Sequence, residues 1–548
     1  MKSSQSPERV LCNLLMFGVL FLAATALEWA QERVQEPLPR QVPPKVVQPA
    51  PVRPVLRPVP QRPQPQVRQR PTPPPRQAQQ ERNQQGTNPV RGERGQGGGQ
   101  VNRGGGIYTG QRAGGGVHPG GGVAGGGSNT LALRMPPNAR AMPMPGGATG
   151  IVHPDGRRWV LDQNRHVTAF ARPGLQAKFN NDGRLNSVHV EHPGNNLIVA
   201  RNAHGDRQTL AVRPGGVVVA TLGKDRGFVQ RPIPGRPGYF ERTYLVGGHS
   251  YARVYHLNRY RGIVYVRYMP AYYYQPRFYQ WVSNPWSPQT AYAWGWQQAP
   301  WSNFYSTYFT PSPSYPSASL WLTDFVLSQN LQAAYQNHQD FEQPQGGGVT
   351  PTEPGGESVA LSPEIKAQIA QEVQVQVSDE EAASGQQEGQ AQVANGQAPP
   401  PALEPNQRTF VVSQNVDVGN ADEPCALTPG DVIYRSGDNL LPGNKVGINV
   451  VASKAGDCPA NSSTEIDVVS LQEIHNQFQA QVDDGLSTLA ANQRQGGLPP
   501  APAAGGRPAP DGTVQPDRDV AAVLAQQQGD ADAAEAAAAD GANAVGST

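Results

Sequence analysis

The sequence has few cysteines and lacks the short motifs that identify common enzyme classes. Three cysteines occur in 548 residues, and no Gly-x-Ser-x-Gly, His-Glu-x-x-His, Walker A or Cys-x-x-Cys pattern is present. The strongest metal candidate is the group His189, Glu191 and His192, which we expect to be surface residues of a hairpin. The sequence therefore predicts a protein that is not an enzyme, with no catalytic residue, cofactor or metal. A secreted enzyme with an unrecognised site is an alternative.

Long apolar runs are also scarce. One such run stands near the N-terminus, and no other segment approaches the length of a membrane span. Lys2 and Arg9 flank this run, which ends in the small residues Ala24-Thr25-Ala26, as a cleaved export signal does. We expect cleavage after Ala26 and export to the periplasm, the cell surface or the medium. The alternative is an uncleaved signal anchor, because the run is nearly long enough to cross a bilayer.

Two cysteines remain after this cleavage, Cys425 and Cys458. In an exported chain they predict one disulfide bond. Neither has a second cysteine or histidine at zinc-finger spacing, so two free thiols or a metal pair are the weaker alternative. A bond between them closes a loop of more than thirty residues. Such a bond stabilises a small domain by about 3–4 kcal/mol.

The chain has too few apolar residues to fold throughout. Apolar residues make up 37% of it, while glycine (61) and proline (55) together make up about a fifth. Residues 27–128 are rich first in Pro, Arg and Gln and then in Gly, which predicts a polyproline II arm and a flexible tether. The single Arg103-Gly104-Gly105 sequence is weak support for RNA binding, and we predict no nucleic acid partner.

Charge is distributed unevenly although the formal net charge is only +2. Residues 27–127 carry 14 Lys or Arg and 5 Asp or Glu, whereas residues 341–548 carry 8 and 28. The N-terminal arm is therefore basic and the C-terminal part is acidic, and opposite charges of this size attract each other.

Residues 147–268 alternate short β-type runs with turn signals at a regular spacing. Pro-Gly pairs begin at Pro173, Pro193, Pro214 and Pro237, about every 21 residues. The turn signals between these pairs are Asp182-Gly183, His204-Gly205 and Asp225-Arg226. Each unit is therefore a strand, a tight turn, a strand and a Pro-Gly turn, which predicts successive antiparallel hairpins. A meander of this kind needs a cover for its buried face.

An aromatic segment follows the hairpins. From Tyr268 to Phe325, 19 of 58 residues are Phe, Trp or Tyr, and eight are Pro. The prolines exclude a long helix, so we predict an irregular, wrapping coil. One amphipathic helix is predicted over residues 319–336, with Ser319 as its N-cap.

Two interpretations of the aromatic rings stay open. The rings are the missing cover of the hairpin sheet, or they form an exposed platform on which sugar rings stack. In an extended chain Tyr292, Trp294 and Trp296 share one face. We therefore predict a cluster of these three rings on or beside the hairpin sheet.

The C-terminal part contains a second, smaller folded region between two segments of low complexity. Residues 341–403 are predicted to be a linker with one nascent helix, which Ser362 caps. Residues 404–495 combine short strands with an amphipathic helix, for which Ser470 and Glu473 form a capping box. Residues 496–548 consist mainly of Pro, Ala, Gly and Asp and are predicted to be disordered.

We therefore predict a mostly β protein with long disordered segments. A domain of repeated antiparallel β-hairpins is followed by an aromatic-rich coil and one helix, and then by a small, disulfide-bonded α+β domain. The predicted organisation is a signal peptide (1–26), an arm (27–128), the hairpin-repeat domain (129–340) with its aromatic segment (268–325), a linker (341–403), the α+β domain (404–495) and an acidic Ala/Pro-rich tail (496–548).

The favoured function is that of a non-catalytic, exported bacterial-type envelope or extracellular protein with a structural, adhesive or assembly role. The alternative is a carbohydrate- or peptidoglycan-binding module that uses the aromatic segment. The candidate binding residues are Trp281, Trp286, Tyr292, Trp294, Trp296 and Trp301. Expected partners are cell-wall polysaccharide or other envelope proteins. Self-association is expected to use the Pro-rich arm and the aromatic segment, because proline-rich peptides dock on aromatic surfaces.

Overall fold

The structure is a computed structural model that describes residues 135–180, 183–192, 195–202, 204–223, 226–342, 358–385, 398–420, 423–509, 512 and 514–546. This part of the chain is mostly β, as predicted, and its largest element is an antiparallel sheet of 13 strands. The predictions for the signal peptide and for the arm over residues 27–128 lie outside the described residues.

The 13 strands pair in the order in which they occur along the chain. They are β1 (Arg140–Pro143), β2 (Thr149–Val152), β3 (Arg158–Leu161), β4 (Val167–Arg172), β5 (Leu175–Phe179), β6 (Leu185–His192), β7 (Asn195–Arg201), β8 (Arg207–Arg213), β9 (Val217–Thr221), β10 (Arg226–Pro232), β11 (Tyr239–Val246), β12 (His249–Tyr260) and β13 (Ile263–Met269). Two of the predicted turns are present: Gly183 N donates to Asn180 O (2.9 Å), and Gly205 N donates to Asn202 O (2.7 Å). Asp225 of the third predicted turn lies outside the described residues. The φ angles of these glycines are 77° and 86°, which other residues rarely adopt, so local turn chemistry sets the hairpins.

The same described residues form helices and shorter strands. The helices are α1 (Pro276–Ser283), α2 (Pro300–Phe304), α3 (Ala318–Glu342), α4 (Pro363–Ser384), α5 (Val468–Ala491) and α6 (Val520–Gly546). The strands are β14 (Tyr272–Tyr274), β15 (Pro285–Thr290), β16 (Tyr315–Ser317), β17 (Thr409–Val411), β18 (Val416–Asn420), β19 (Glu423–Leu427), β20 (Val432–Arg435), β21 (Lys445–Ala452), β22 (Ser463–Asp467) and β23 (Gly506–Pro508). Of these helices, none combines the length and the apolar composition that a membrane crossing needs.

The C-terminal helix α6 covers one face of the hairpin sheet, so the prediction of disorder over residues 496–548 is wrong for this segment. Small apolar residues recur along it every three or four positions and form one stripe. The stripe consists of Ala531, Ala534, Ala538, Ala542 and Val545, and it is buried in one cluster with side chains of β2–β8. The composition of this segment predicts disorder because its alanines bury little surface unless another part of the protein packs against them. The segment is nevertheless helical, since alanine has the highest helix propensity.

Ion pairs join α6 to the same sheet. Arg207 Nη1 lies 2.7 Å from Asp532 Oδ1, and Arg207 Nε lies 3.5 Å from Glu535 Oε1. Arg201 also binds the carboxylate of Glu535. The acidic C-terminal part therefore pairs with arginines of the sheet. Partly exposed ion pairs contribute only about 0–1 kcal/mol each to the free energy of unfolding. These pairs therefore mainly orient the helix, and the buried alanine stripe supplies most of the stabilisation.

Helix α5 covers the opposite face of the sheet at β10–β13. Ala480 is buried in one cluster with Tyr244, Tyr255 and Tyr268 of the sheet. Apart from Tyr268, which belongs to β13, the buried rings of the aromatic segment form a separate cluster that contains no side chain of β1–β13 among the described residues. The interpretation of these rings as the cover of the hairpin sheet is therefore wrong, since helices α5 and α6 cover it.

Helix α4 lies in the middle of the predicted linker, at the place where the sequence predicts one nascent helix, and it extends from Pro363 to Ser384. Ser362 is the N-cap, as predicted, and its Oγ accepts from Ile365 N (3.4 Å). Ile369, Val373 and Val377 are buried in the same cluster as the aromatic rings. Tertiary packing stabilises this helix, and flanking sequences of low complexity do not reveal such packing.

The predicted α+β region contains the expected disulfide. Its strands form a four-stranded sheet in the order β17-β20-β21-β22, and β18 and β19 form a separate hairpin. Cys425 of β19 is bonded to Cys458, with their Cα atoms 5.0 Å apart. Cys458 is fully buried, so the bond fastens the hairpin to the interior of the small domain.

The N-terminus of α5 differs from the prediction. The helix begins at Val468, and the N-cap is Asp467, whose Oδ1 accepts from Val469 N (2.8 Å). The predicted capping box of Ser470 and Glu473 is therefore wrong. Strand β22 ends at Asp467, and the helix begins at the next residue. The Asp467 carboxylate is therefore the side chain at the N-cap position, three residues before Ser470.

Candidate functional site

The predicted ring cluster of Tyr292, Trp294 and Trp296 is present. Ring centroids are 4.8 Å apart for Tyr292 and Trp294, and 5.2 Å apart for Trp294 and Trp296. Trp294 also stacks on Trp321 of α3, with centroids 5.1 Å apart and ring planes at 17°. The cluster therefore lies on α3, and its predicted position on or beside the hairpin sheet is wrong.

The surrounding chain is more regular than the predicted coil. The eight prolines do exclude a long helix, yet α1, α2, β15 and β16 lie within the aromatic segment. Helix α3 begins at Ala318 and ends at Glu342, so it is longer at both ends than the predicted 319–336. Ser317 precedes it, and its Oγ accepts from Leu320 N (3.5 Å), so the predicted N-cap Ser319 lies inside the helix.

The six candidate binding residues are all at least partly buried. Trp286, Trp294 and Trp301 are buried, whereas Trp281, Tyr292 and Trp296 are half-buried. The indoles interleave: Trp281 packs on Trp286 with centroids 5.3 Å apart, and Trp296 packs on Trp301 at 4.8 Å. Interleaved rings are typical of a core, and the three half-buried rings each keep part of their surface accessible. A binding role for these residues stays a prediction.

Two charged side chains lie inside the aromatic cluster. Asp324 is fully buried, and its Oδ2 accepts from Tyr315 OH (2.7 Å), whose oxygen accepts from Trp294 Nε1 (2.8 Å). Lys366 of α4 is also buried, with Nζ 2.8 Å from Asp324 Oδ1 and 4.7 Å from the ring centroid of Phe309. The indole N–H of Trp294 and the hydroxyl of Tyr315 are thus satisfied inside the cluster, whereas Trp286 Nε1 and Trp321 Nε1 are buried without a hydrogen-bond partner among the described residues.

A second buried charge cluster lies where the hairpin sheet meets the disulfide-bonded domain. Lys454 Nζ is 2.5 Å from Asp431 Oδ1 and 3.1 Å from Asp457 Oδ2. His204, in the turn between β7 and β8, has its Nε2 2.8 Å from Asp457 Oδ1. Thr428 Oγ1 donates to Asp457 Oδ2 (2.7 Å). Sequence reasoning missed this cluster because folding alone brings His204 to residues more than 200 positions away.

Lys454 and Asp431 compete for a proton in this cluster. Burial raises the pKa of Asp431 to about 7, although Lys454 opposes the rise, and the charge of Asp457 adds to it. Burial would also raise the pKa of Asp457, but Lys454 and His204 lower it further, to about 2. The hydrogen bond with Asp457 raises the pKa of His204. Asp457 is therefore the more stable carboxylate, and Asp431 is the one that readily takes up a proton.

A pair of carboxyl groups lies between α4 and α5. Glu380 Oε2 and Asp483 Oδ1 are buried and have no donor among the described residues, while the other two oxygens accept from Gln376 Nε2 (2.7 Å) and Tyr268 OH (2.7 Å). Burial raises the pKa of Glu380 well above its usual range, and the charge of Asp483 raises it further. Burial raises the pKa of Asp483 to about 6. The two groups therefore share one proton at neutral pH.

Replacing Glu380 with glutamine is expected to raise the melting temperature at pH 8 and to leave it nearly unchanged at pH 4. In the unfolded chain both carboxyls ionise above about pH 4. In the folded chain Glu380 stays protonated. The buried pair therefore stabilises the fold fully below pH 4, and this stabilisation is lost as the pH rises through the pKa values that the two groups have in the folded state. Glutamine supplies a permanent N–H donor, and we expect it to add about 1–2 kcal/mol at pH 8.

Thermal unfolding between pH 4 and pH 8 measures this effect, with Glu381→Gln as the matched control one residue along α4. The pH profile of this control is expected to follow that of the wild type. A Glu380→Gln profile that also runs parallel to the wild type over this range would contradict the shared proton.

A cleft of about 430 Å³ lies at the ends of the middle hairpins. Arg201, Arg207 and Arg226 line it together with Asp206. Arg201 and Arg207 bind acidic residues of α6, and Arg226 Nη1 donates to Ala333 O (3.1 Å). Because each guanidinium has a protein partner, the cleft does not by itself indicate an anionic ligand.

The predicted metal candidates lie along β6. His189 Nδ1 is 3.6 Å from Glu191 Oε1, burial lowers the pKa of His189, and His192 is exposed at the end of the strand. In the part of the chain that the structure describes, no group of three or more His, Cys, Asp or Glu side chains is placed to hold a metal ion.

The aromatic cluster and the Lys454 cluster are thus the two places where aromatic or charged side chains are concentrated, and both are largely buried. Comparison of the chain with protein-family models, with curated proteins and with solved structures finds no match.

Proposed function

We propose that this chain is an exported, non-catalytic structural protein of the cell envelope or the extracellular space. The observation that carries the proposal is the Cys425–Cys458 disulfide, which is buried in the small domain. Structural disulfides persist in oxidising compartments and are rare in the reducing cytosol. The apolar run with its Ala24-Thr25-Ala26 exit supports the same location.

A structural or assembly role is favoured because many of the aromatic and charged side chains pack against or bind other parts of the same chain. The indoles interleave in a core, and the acidic residues of α6 bind arginines of the sheet. A folded unit preceded in sequence by a proline-rich segment suits a protein that spaces or joins other components. We propose other envelope proteins, or further copies of this chain, as its partners.

Production of the full chain in a bacterial host tests the location. We expect mature protein in an exported fraction, with Leu27 as its first residue and Cys425 and Cys458 bonded when it is prepared without reductant. A matched chain without residues 2–26 is expected to stay in the cytoplasm with both thiols open to alkylation. Full-length protein that stays in the cytoplasm, with Met1 intact and both thiols alkylated, would contradict the proposal.

A carbohydrate-binding role is the second candidate, and one observation favours it. Trp281, Tyr292 and Trp296 are half-buried, so each keeps part of its ring accessible beside the buried indoles. A partly exposed aromatic edge can stack on sugar rings. This candidate requires retention on cell-wall polysaccharide that depends on Trp296.

A further inference from the structure

We propose that the folded chain cross-links itself through an isopeptide bond between Lys454 Nζ and the side-chain carboxyl of Asp431. Asp457 is the proton carrier for this step. The bond is a modification inside the small domain, so it does not depend on where the protein is located or on what it binds.

The reacting groups are already in contact. Lys454 Nζ lies 2.5 Å from Asp431 Oδ1, and the side chains are 4% and 0% exposed. The other carboxyl oxygen, Oδ2, accepts from Thr428 N (2.9 Å). The backbone N of Lys454 also donates to Asp431 Oδ1 (3.2 Å), which holds the two residues in register. A nucleophile and an electrophile that are held in this way react without the entropy cost of an encounter.

The surroundings of the pair exclude water. The ring of Tyr308 lies over Lys454, with Nζ 5.5 Å from the centroid. Tyr308 OH also donates to Gly430 O (2.8 Å), next to Asp431. A Cβ on Gly430 would lie 2.7 Å from Leu331 Cδ2, so the backbone here is in close contact with α3. Burial raises the pKa of Asp431 to about 7, whereas the charges of Asp431 and Asp457 outweigh the burial of Lys454 and raise the pKa of its ammonium. The ammonium must therefore pass on a proton inside the site before its nitrogen can attack.

The chemistry balances without a further reactant. Lys454 Nζ passes one proton to Asp431 Oδ1, which lies 2.5 Å away. The nitrogen lone pair attacks Asp431 Cγ, and Thr428 N–H stabilises the negative charge that develops on Oδ2. Asp457 Oδ2, 3.1 Å from Nζ, takes a second proton from the attacking nitrogen and delivers it to Oδ1, which leaves as water. One ammonium and one carboxylate thus become one amide and one water molecule.

The reaction also removes an unfavourable arrangement. Before it, one ammonium faces two buried carboxylates, and buried charges are costly when they outnumber their partners. After it, Asp457 keeps His204, whose Nε2 is 2.8 Å from Oδ1, and the hydroxyl of Thr428. The product therefore contains no buried carboxylate without a partner.

Lys366 and Asp324 provide an internal comparison. Their Nζ and Oδ1 atoms are 2.8 Å apart, and both side chains are buried. Asp324 is the one carboxylate within ion-pair distance of Lys366 among the residues whose positions are described. Because this pair lacks a second carboxylate to carry a proton, it is expected to remain an ion pair.

Peptide mapping of the purified full chain, after reduction, alkylation and trypsin digestion, tests the proposal. Without the bond, trypsin produces the peptides 409–435 and 446–454, which contain Asp431 and Lys454. With the bond, cleavage after Lys454 is blocked, and 409–435 is joined to 446–494 with a mass lower than their sum by one water. Reduction opens the disulfide between the same segments, so a link that survives it is a different bond.

Three variants make the result specific. Lys454→Met is expected to abolish the linked species, and Asp457→Asn is expected to abolish it while both reacting groups remain. Lys366→Met is expected to leave it at the wild-type level. A wild-type digest with free 446–454 and no linked species overturns the proposal, as does a linked species that persists in Lys454→Met or is undiminished in Asp457→Asn. The wild-type digest alone shows whether the linked species exists. The test therefore stays decisive even if one of the variants does not fold.

Discussion

Replacing Ala538 with aspartate is expected to detach α6 from the hairpin sheet and to destabilise the protein by at least about 3 kcal/mol. Ala538 is fully buried, in the same cluster as Trp159, Phe170 and Leu175. A carboxylate at this position would be buried without a partner, and the space beside an alanine does not admit a larger side chain without displacing the helix. Urea unfolding measures the loss, and limited proteolysis reports whether the C-terminal helix is released first.

Ala539→Asp is the matched control, because it adds the same charge to the same helix at an exposed position. We expect this variant to unfold within about 0.5 kcal/mol of the wild type. Equal stability of the two variants would show that α6 does not depend on the sheet for its position.

Replacing Trp294 with alanine is expected to cost about 3–5 kcal/mol and to lower the melting temperature sharply. The indole is buried, stacks on Trp321 and donates to Tyr315 OH (2.8 Å), so its removal leaves a cavity and an unsatisfied hydroxyl oxygen. Thermal unfolding measures this effect, and Gln297→Ala, an exposed change three residues along, is the control.

The companion variant Trp296→Ala separates packing from binding. Trp296 is half-buried, so its replacement is expected to cost less than half as much as that of Trp294. If the accessible edge of the rings binds polysaccharide, Trp296→Ala loses retention on purified cell wall while most of the melting temperature is kept. Unchanged retention in a folded Trp296→Ala variant removes the carbohydrate candidate and leaves the structural role. A Trp294→Ala variant that melts with the wild type would contradict the core assignment.

The hairpins could be predicted from the sequence because their information is local. A turn with Gly183 or Gly205 at positive φ, between runs of alternating polarity, sets the pairing of its own two strands. The cover of the sheet could not be predicted in this way. The alanine stripe of α6 forms a core only when it packs against strands that lie hundreds of residues earlier in the chain. Its composition alone is similar to that of a disordered tail.

The candidate site shows the same division between local and distant information. The shared face of Tyr292, Trp294 and Trp296 follows from their spacing and is present in the structure. The surface on which these rings lie depends on Trp321, in a helix whose place in the fold the spacing does not reveal. The Lys454 cluster depends still more on distant contacts, since His204 reaches Asp457 across 253 positions of the chain.

The position of α6 also has a consequence for the order in which the molecule can be completed. Trp159 Nε1 donates to Gly541 O (2.8 Å), and these residues are 382 positions apart. Ribosomes add about 5–20 residues per second, so the face around Trp159 waits roughly 20–80 s for the helix that covers it. During that time the early hairpins present an apolar surface and unpaired strand edges to every other chain nearby. The most vulnerable period of this protein is therefore its own synthesis, and that period lasts until α6 has been made and can pack on the sheet.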